Sequence, residues 1–370
     1  MPVTVHSFAK INLGLCIGGL RPDGFHELRT VYQTIALHDL IRLSVGRGTG
    51  IEIRCDDSQV PANEANTCYR VVERALPMLK SSGRVIIRIE KRLPVRGGLG
   101  GASGNAVAAL LALERALKKE IPHPHKLRLA AEVGSDLPLF LVGGTVLGLG
   151  RGEEVYPLAD FPPVACVIVT PAISISTPKA FADWDLMVSG RAGMRVGGLE
   201  TTTPPRRAEV TASDAADNFP SPAGLSQLPS KLTLTEPSDR ILRFGCNLSA
   251  WLSGLPALKT KLGGRVSGVP ARGRGRAETL LLDLVRTGIE NDFEQVVFSQ
   301  YPELREVKCV LGRAGAIYAS LSGSGSAVYG LFRSQTAAQK AAAWLRSRGV
   351  PAQVTVTLTR QQYWNRIFDC

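Results

Sequence analysis

Apolar residues recur along this chain in two rhythms. Over residues 1–57, short β-prone runs (VTVHSF, VYQTIAL, DLIRLSV, IEIRC) alternate with glycine-containing turns such as RPDG, a pattern of hairpins or a meander. The rhythm then lengthens. In NTCYRVVERALPMLK, Val71, Val72, Ala75, Leu76 and Leu79 fall on one helical face, with Asn66 or Thr67 placed to cap it. VIIRIE at 85–90 predicts a buried strand. Beyond a glycine stretch, Ala106, Ala109, Leu110, Leu113, Ala116 and Leu117 predict a helix of about four turns, on which Glu114 and Lys118 are spaced to pair.

HKLRLAAEVGSDLPLFLVGGTVLGLGRGEEVYPL reads as a helix, a Gly-Ser-Asp turn, a short helix and a hairpin, with His123 and His125 in the loop before it. Pro162 and Pro163 mark a domain boundary, dividing the chain into 1–160 and 161–370. The second half opens with the strand ACVIV and a proline-broken segment leading to a helix at STPKAFADW. Residues 188–276, rich in Gly, Pro, Ser, Thr and Arg, read as an unstructured insertion. Helices, the strand-turn-strand unit AIYASLSGSGSAVYGLF, a helix and a final strand follow. Helices alternating with antiparallel-type strands predict an α+β architecture rather than a doubly wound sheet.

Composition narrows the class. The 370 residues suffice for two cores, and 44% hydrophobic with 21% charged residues is ordinary for a globular protein. No apolar run approaches a membrane span, and His6, Lys10 and Asn12 interrupt the N-terminal apolar stretch where a signal peptide would need continuity. Seven scattered cysteines without a C-x-x-C spacing fit a reducing, cytoplasmic setting. The three histidines His38, His123 and His125 suggest no metal cluster. A net charge of +12 suits phosphate ligands of any kind, but no nucleic-acid motif accompanies it, so no nucleic-acid partner is expected.

The sharpest chemical signal is LPVRGGLGGASGNA at 93–106, with four glycines in five positions. Successive glycines can turn several backbone N–H groups into one concavity, and a helix beginning there adds its own unpaired amides. A tight turn packing strand on helix is the alternative, and glycine alone does not separate the two. The spacing is neither that of a P-loop nor that of a dinucleotide fold. PVRGGLGGASGNA does resemble the phosphate motif of the GHMP kinases, and two further motifs of that family follow the expected order: SFAKINLGL at 7–15 and LSGSGSAVYGLF at 321–332.

Within that family AKINLGL, RPDGFHELRTVYQTI, GSDLPLFLVGG, STPKAF and NDFE are most similar to the branch that phosphorylates a cytidine-diphosphate-linked methylerythritol. The resemblance covers about 1–187 and 277–358 and implies a two-domain GHMP kinase fold, an N-terminal ribosomal-protein-like α/β domain joined to a ferredoxin-like one. It implies ATP and Mg²⁺ as cofactors, a small-molecule acceptor, and a monomer or homodimer. Pro94, Val95, Arg96, Gly97, Gly98, Leu99, Gly100, Gly101, Ala102, Ser103 and Gly104 would cradle the nucleotide, with Asn66 nearby and Asn105 a lesser candidate. Ser103 would offer its hydroxyl to Mg²⁺ or phosphate, or serve as a helix cap. Arg96 stands where the family has glycine or alanine, so its side chain must leave the pocket or touch phosphate. Asp136 would be the general base and Lys10 its ammonium partner. Phe25 and Phe181 would stack on the two faces of cytosine, His26 would bond its edge, and Asn12 and Thr177 would make lesser substrate contacts, while Tyr32 could line the pocket but reads first as core. Two rivals stand beside this reading: a homoserine or mevalonate-type kinase, and a basic nucleic-acid-binding protein on the same fold.

Overall fold

The computed structural model describes residues 2–196 and 290–368. β1 (Val3–Leu20) and β2 (His26–Gly46) make one long antiparallel hairpin. The sequence pattern divides β2 at its polar pair His38–Asp39, yet the strand runs through. Asp39 is fully buried there and collects donors from Lys91 Nζ, the Arg92 and Leu93 amides and Asn105 Nδ2, so the chain need not turn outward to hydrate it.

β2 is the hub of the first sheet. It pairs with β1 along its length, with β4 (Arg84–Glu90) over residues 40–46 and with β5 (Thr145–Leu149) over 30–33. β3 (Ile51–Cys55) lies parallel to β4, and β6 (Glu154–Pro157) closes the other edge. α1 (Thr67–Met78) is capped by Asn66, whose Oδ1 accepts the Cys68 amide at 2.8 Å. α2 (Gly101–Leu117) is buried from Gly104 through Glu114 because the β1–β2 sheet covers one side and α1 the other, which is why its sequence is apolar nearly all round.

The expected Glu114–Lys118 pair does not form. Lys118 ends α2 in a left-handed conformation, and the buried Glu114 instead accepts the Lys126 ammonium at 2.9 Å and the Ile121 amide at 2.8 Å. Nor do His123 and His125 lie in a loop: they form the first turn of α3 (His123–Val133), where Pro124 sacrifices only an amide that has no helical partner. α4 (Leu137–Phe140) follows.

The second sheet is antiparallel, in the order β10 (Ala352–Val356), β7 (Ala165–Val169), β9 (Val328–Phe332), β8 (Tyr318–Leu321). Its central strands β7 and β9 are buried on both faces. Cys166, Ile168, Tyr329 and Leu331 pack against Ala9, Ile11 and Leu13 of β1 in one apolar seam between the sheets. Their neighbours Ala165, Val167, Val169, Val328 and Phe332 face the opposite way. There they join side chains of α5 (Thr177–Val196), α6 (Phe293–Gln300), α7 (Pro302–Arg313) and α8 (Gln335–Arg346).

Residues 188–196, expected to begin the insertion, continue α5 as helix; from 197 on, that expectation lies outside the described residues. α9 (Arg360–Arg366), which the pattern does not announce, opens with a capping box between Thr359 and Gln362. It returns to the first core, where the Tyr363 hydroxyl donates to the Phe140 carbonyl at 2.7 Å. Among the described residues no helix is long and apolar enough to cross a membrane.

Candidate active site

The alternation of β1 decides which residues meet. Ala9, Ile11 and Leu13 point into the seam between the sheets, which leaves Lys10 and Asn12 on the other face. Register shifts between Phe8 and Ala9 and between Asn12 and Gly14 bracket this pair. The glycine loop is fastened to the same strand, with the Lys10 amide donating to the Leu99 carbonyl at 2.9 Å.

Pro94 through Gly100 form that loop, and Gly101 through Gly104 form the first turn of α2. Much of the crowding that excludes side chains here comes from the protein itself. A Cβ at Gly98, where φ is +75°, would stand 2.2 Å from the Ser322 carbonyl oxygen. One at Gly100, where φ is +70°, would meet Lys10 Cγ and Phe140 Cζ at 2.9 Å. At Gly101 the nearest atom would be Lys91 Nζ at 3.5 Å, an ordinary distance. That is the point where the helix amides begin, and the first-turn amides of a helix have no intrahelical acceptor. Ser103 is the third residue of α2 and not its cap, a place that Gly100 holds. Arg96 is exposed at φ +57°, a left-handed conformation that non-glycine residues rarely adopt. Asn105 is directed to Asp39, and both polar groups of Asn66 are used locally, on the Cys68 amide and the Pro61 carbonyl. It is the next residue, Thr67, that reaches the loop, donating to the Ala102 carbonyl at 2.8 Å.

A second glycine turn, Ser322 through Ser326 between β8 and β9, sits against the first. Ser322 Oγ donates to the Gly98 carbonyl at 2.9 Å and the Ala327 amide to that of Gly97 at 3.0 Å. Buried Asn291 of the NDFE motif holds this turn by donating to the Leu321 and Gly323 carbonyls at 2.9 and 2.8 Å. Thr177 touches it through Ser324, with their hydroxyls 2.7 Å apart.

Lys10 and Asp136 come together across these elements, with Nζ 3.4 Å from Oδ2. The ammonium is only 4% exposed and also donates to Asn12 Oδ1 at 2.7 Å; Asn12 Nδ2 passes on to Thr30 Oγ1. An ammonium carries three donors, and with Asn12 taking one as a hydrogen bond and Asp136 at ion-pair distance, donor capacity is left for an anionic oxygen. Asp136 occupies the cap position of α4 but makes no capping bond, which frees its carboxylate for the cleft. The second carboxylate oxygen accepts the Tyr32 hydroxyl at 3.0 Å. Tyr32 is core in its ring, as its apolar position predicts, and only its hydroxyl reaches the carboxylate. Burial above all, and then the Asp136 charge, push its phenol well above the usual range, so it stays a donor.

The other end of the cleft is looser. Phe25 is 51% exposed, and the Arg151 guanidinium lies 4.9 Å over its ring. His26 is buried, with Nδ1 3.1 Å from the Gly18 carbonyl, an acceptor that requires the proton on Nδ1. His26 Nε2 faces Asp185 at 3.2 Å. Phe181 stacks on His26 with centroids 5.0 Å apart and meets Phe293 edge-on at 4.9 Å. Arg151, held by Glu153 on the β5–β6 turn, is a residue the sequence reading passes over, because a hairpin turn carries no sign of what it overhangs.

Among the described residues no group of three or more His, Cys, Asp or Glu side chains is placed to hold a metal ion. The sequence pattern described as GHMP kinases N terminal domain matches residues 64–144, and that of GHMP kinases C terminal matches 276–350. A 4-diphosphocytidyl-2-C-methyl-D-erythritol kinase of Solibacter usitatus is 33% identical over 336 residues, which span 90% of this chain and 82% of that one. A crystal structure of a 4-(cytidine 5′-diphospho)-2C-methyl-D-erythritol kinase superposes with a TM-score of 0.62 at 25% identity, covering 96% of this chain and 98% of the other. A homoserine kinase from Cytophaga hutchinsonii superposes as well, with a TM-score of 0.63 at 18% identity over 98% and 96% of the two chains. The fold alone therefore does not select the acceptor.

Proposed function

The chain belongs to the GHMP kinases, and on that premise we propose that it transfers the γ-phosphoryl group of ATP to the 2-hydroxyl of 4-(cytidine 5′-diphospho)-2-C-methyl-D-erythritol, a cytoplasmic step of non-mevalonate isoprenoid precursor synthesis. The observation that carries the chemistry is the Lys10–Asp136 pair standing against the glycine loop. Phosphoryl transfer asks little covalent help of a protein, so fixed charge and position supply the rate.

The nucleotide phosphates lie over Gly98–Ser103, on the loop and the first-turn amides of α2, where the helix dipole favours negative charge. Mg²⁺, a hard cation satisfied by few protein oxygens when phosphates complete its shell, fits a site offering the Ser103 hydroxyl and no carboxylate cage. When bound it neutralises charge on the phosphates. Lys10 gives its remaining donor to the transferring group, and Asn12 fixes the ammonium for that task. Asp136 takes the proton from the acceptor hydroxyl.

The exposed ring of Phe25 beside buried His26 supports a cytidine-linked acceptor over homoserine or mevalonate, which have no base to stack. Cytosine lies on the open face of Phe25, with its edge at His26 Nε2 in place of Asp185, and Phe181 steadies the imidazole. A nucleic-acid-binding protein would have no use for a buried ammonium beside a carboxylate. The test is ADP release by purified protein with the cytidine-linked methylerythritol, homoserine and mevalonate in parallel. Turnover with the first alone is expected; preference for either of the others rejects the acceptor assignment.

A further inference from the structure

Each oxygen of the Asp136 carboxylate has its own partner. Oδ2 faces Lys10 at 3.4 Å, and Oδ1 accepts the Tyr32 hydroxyl at 3.0 Å. Tyr32 also lies under the ammonium, with Lys10 Nζ 5.5 Å from its ring centroid. One side chain therefore touches both members of the catalytic pair. We propose that Tyr32 is a positioning residue for this kinase: by holding Oδ1 it turns Asp136 so that Oδ2, beside Lys10, is the oxygen presented to the acceptor hydroxyl. This rests on the reading of Asp136 as the base.

Three features separate this role from plain filling of the core. The β1–β2 register pairs Tyr32 with Asn12, the residue that fixes Lys10, so the phenol is aimed by the same ladder that aims the ammonium. The β5–β6 hairpin gives up side chains to house it. A Cβ at Gly148 would stand 2.5 Å from Tyr32 Cε2, and one at Gly152 would stand 2.4 Å from the hydroxyl itself. A phenylalanine would fill the same ring volume, so the close fit at Gly152 is a fit to the hydroxyl. Finally, of the two carboxylates near the phenol, Glu153 is engaged by Arg151 and only Asp136 receives its hydrogen bond. Lys10 on β1 offers only donors, Arg151 on the hairpin turn is bound to Glu153, and the hydroxyl is directed at Asp136. A charged acceptor makes this the strong kind of hydrogen bond, with fixed geometry.

The test is Tyr32→Phe, which keeps the ring, its packing and its contact with Lys10. With the cytidine-linked acceptor, kcat is expected to fall about tenfold while KM for ATP and for the acceptor each stay within about twofold, the signature of an interaction spent in the transition state. The same substitution in an Asp136→Asn background, followed by single-turnover transfer from labelled ATP over hours, is expected to cost nothing further, because the group it acts through is gone. Unchanged kcat, a loss confined to KM, or the same tenfold loss in the Asp136→Asn background would each overturn the proposal. Wild-type protein that turns over none of the cytidine-linked acceptor would instead reject the functional assignment, so the two failures are distinguishable.

Discussion

Lys10, at 4% exposure, has its ammonium held by Asn12, Asp136 and the Tyr32 ring, while Phe25, at 51% exposure, has only the Arg151 guanidinium over it. These are the two ends of the candidate site. At the transfer end Lys10 and Asp136 are held before substrate arrives, as charge stabilisation in a reaction requires, since dipoles that must reorganise lose their advantage. The acceptor end has an open aromatic face and a histidine whose outer nitrogen is occupied by a half-exposed aspartate, a partner that a ligand can displace. Rigid groups should therefore govern kcat, and open ones KM.

The largest effect is expected at the rigid end. Lys10→Ala should lower kcat roughly 10³-fold with little change in acceptor KM, measured by coupled ADP release. Gly98→Ala should come next, since its Cβ would meet the Ser322 carbonyl oxygen at 2.2 Å in a left-handed conformation. Separating the two glycine turns should raise KM for ATP on the order of tenfold or more and lower the melting temperature, the cost of overpacking being about 1–3 kcal/mol. At the open end, Phe25→Ala should raise acceptor KM about tenfold and leave kcat within about twofold, as loss of a base-stacking face does. A fall in kcat without a rise in KM would erase the contrast. The smallest effect is assigned to Asp185→Asn, an exposed partner of His26, with acceptor KM moving by about twofold at most. A larger shift there would mean that Asp185 itself contacts the acceptor.

Local patterns foretold the elements around the cleft more fully than the contacts inside it. The strand at 85–90, the loop and the Ala/Leu helix after it follow from periodicity and from glycine, both of which act over a few residues. That Lys10 meets Asp136 was legible only through the ordered family motifs, because a contact spanning so much chain leaves no local trace. Tyr32 is core, as its apolar position on β2 foretold, but the partner of its hydroxyl was not legible for the same reason: that acceptor lies 104 residues away. The gap between the runs VYQTIAL and DLIRLSV misled in the opposite direction. Two separate strands are read there, whereas four donors converge on buried Asp39 and one strand continues. The two-faced clamp drawn from Phe25 and Phe181 needed to know what else competes for an aromatic face, and His26 and Phe293 had already taken Phe181.

The central claim is that Asp136, set beside Lys10 at the glycine loop, takes the acceptor proton during transfer. It is tested most directly by following the labelled γ-phosphate of ATP onto the cytidine-linked acceptor with wild-type protein and with Asp136→Asn, while calorimetry reports ATP affinity for both. Transfer should drop by at least about 10³-fold while ATP affinity stays within about twofold. Transfer at the wild-type rate by Asp136→Asn would contradict the claim.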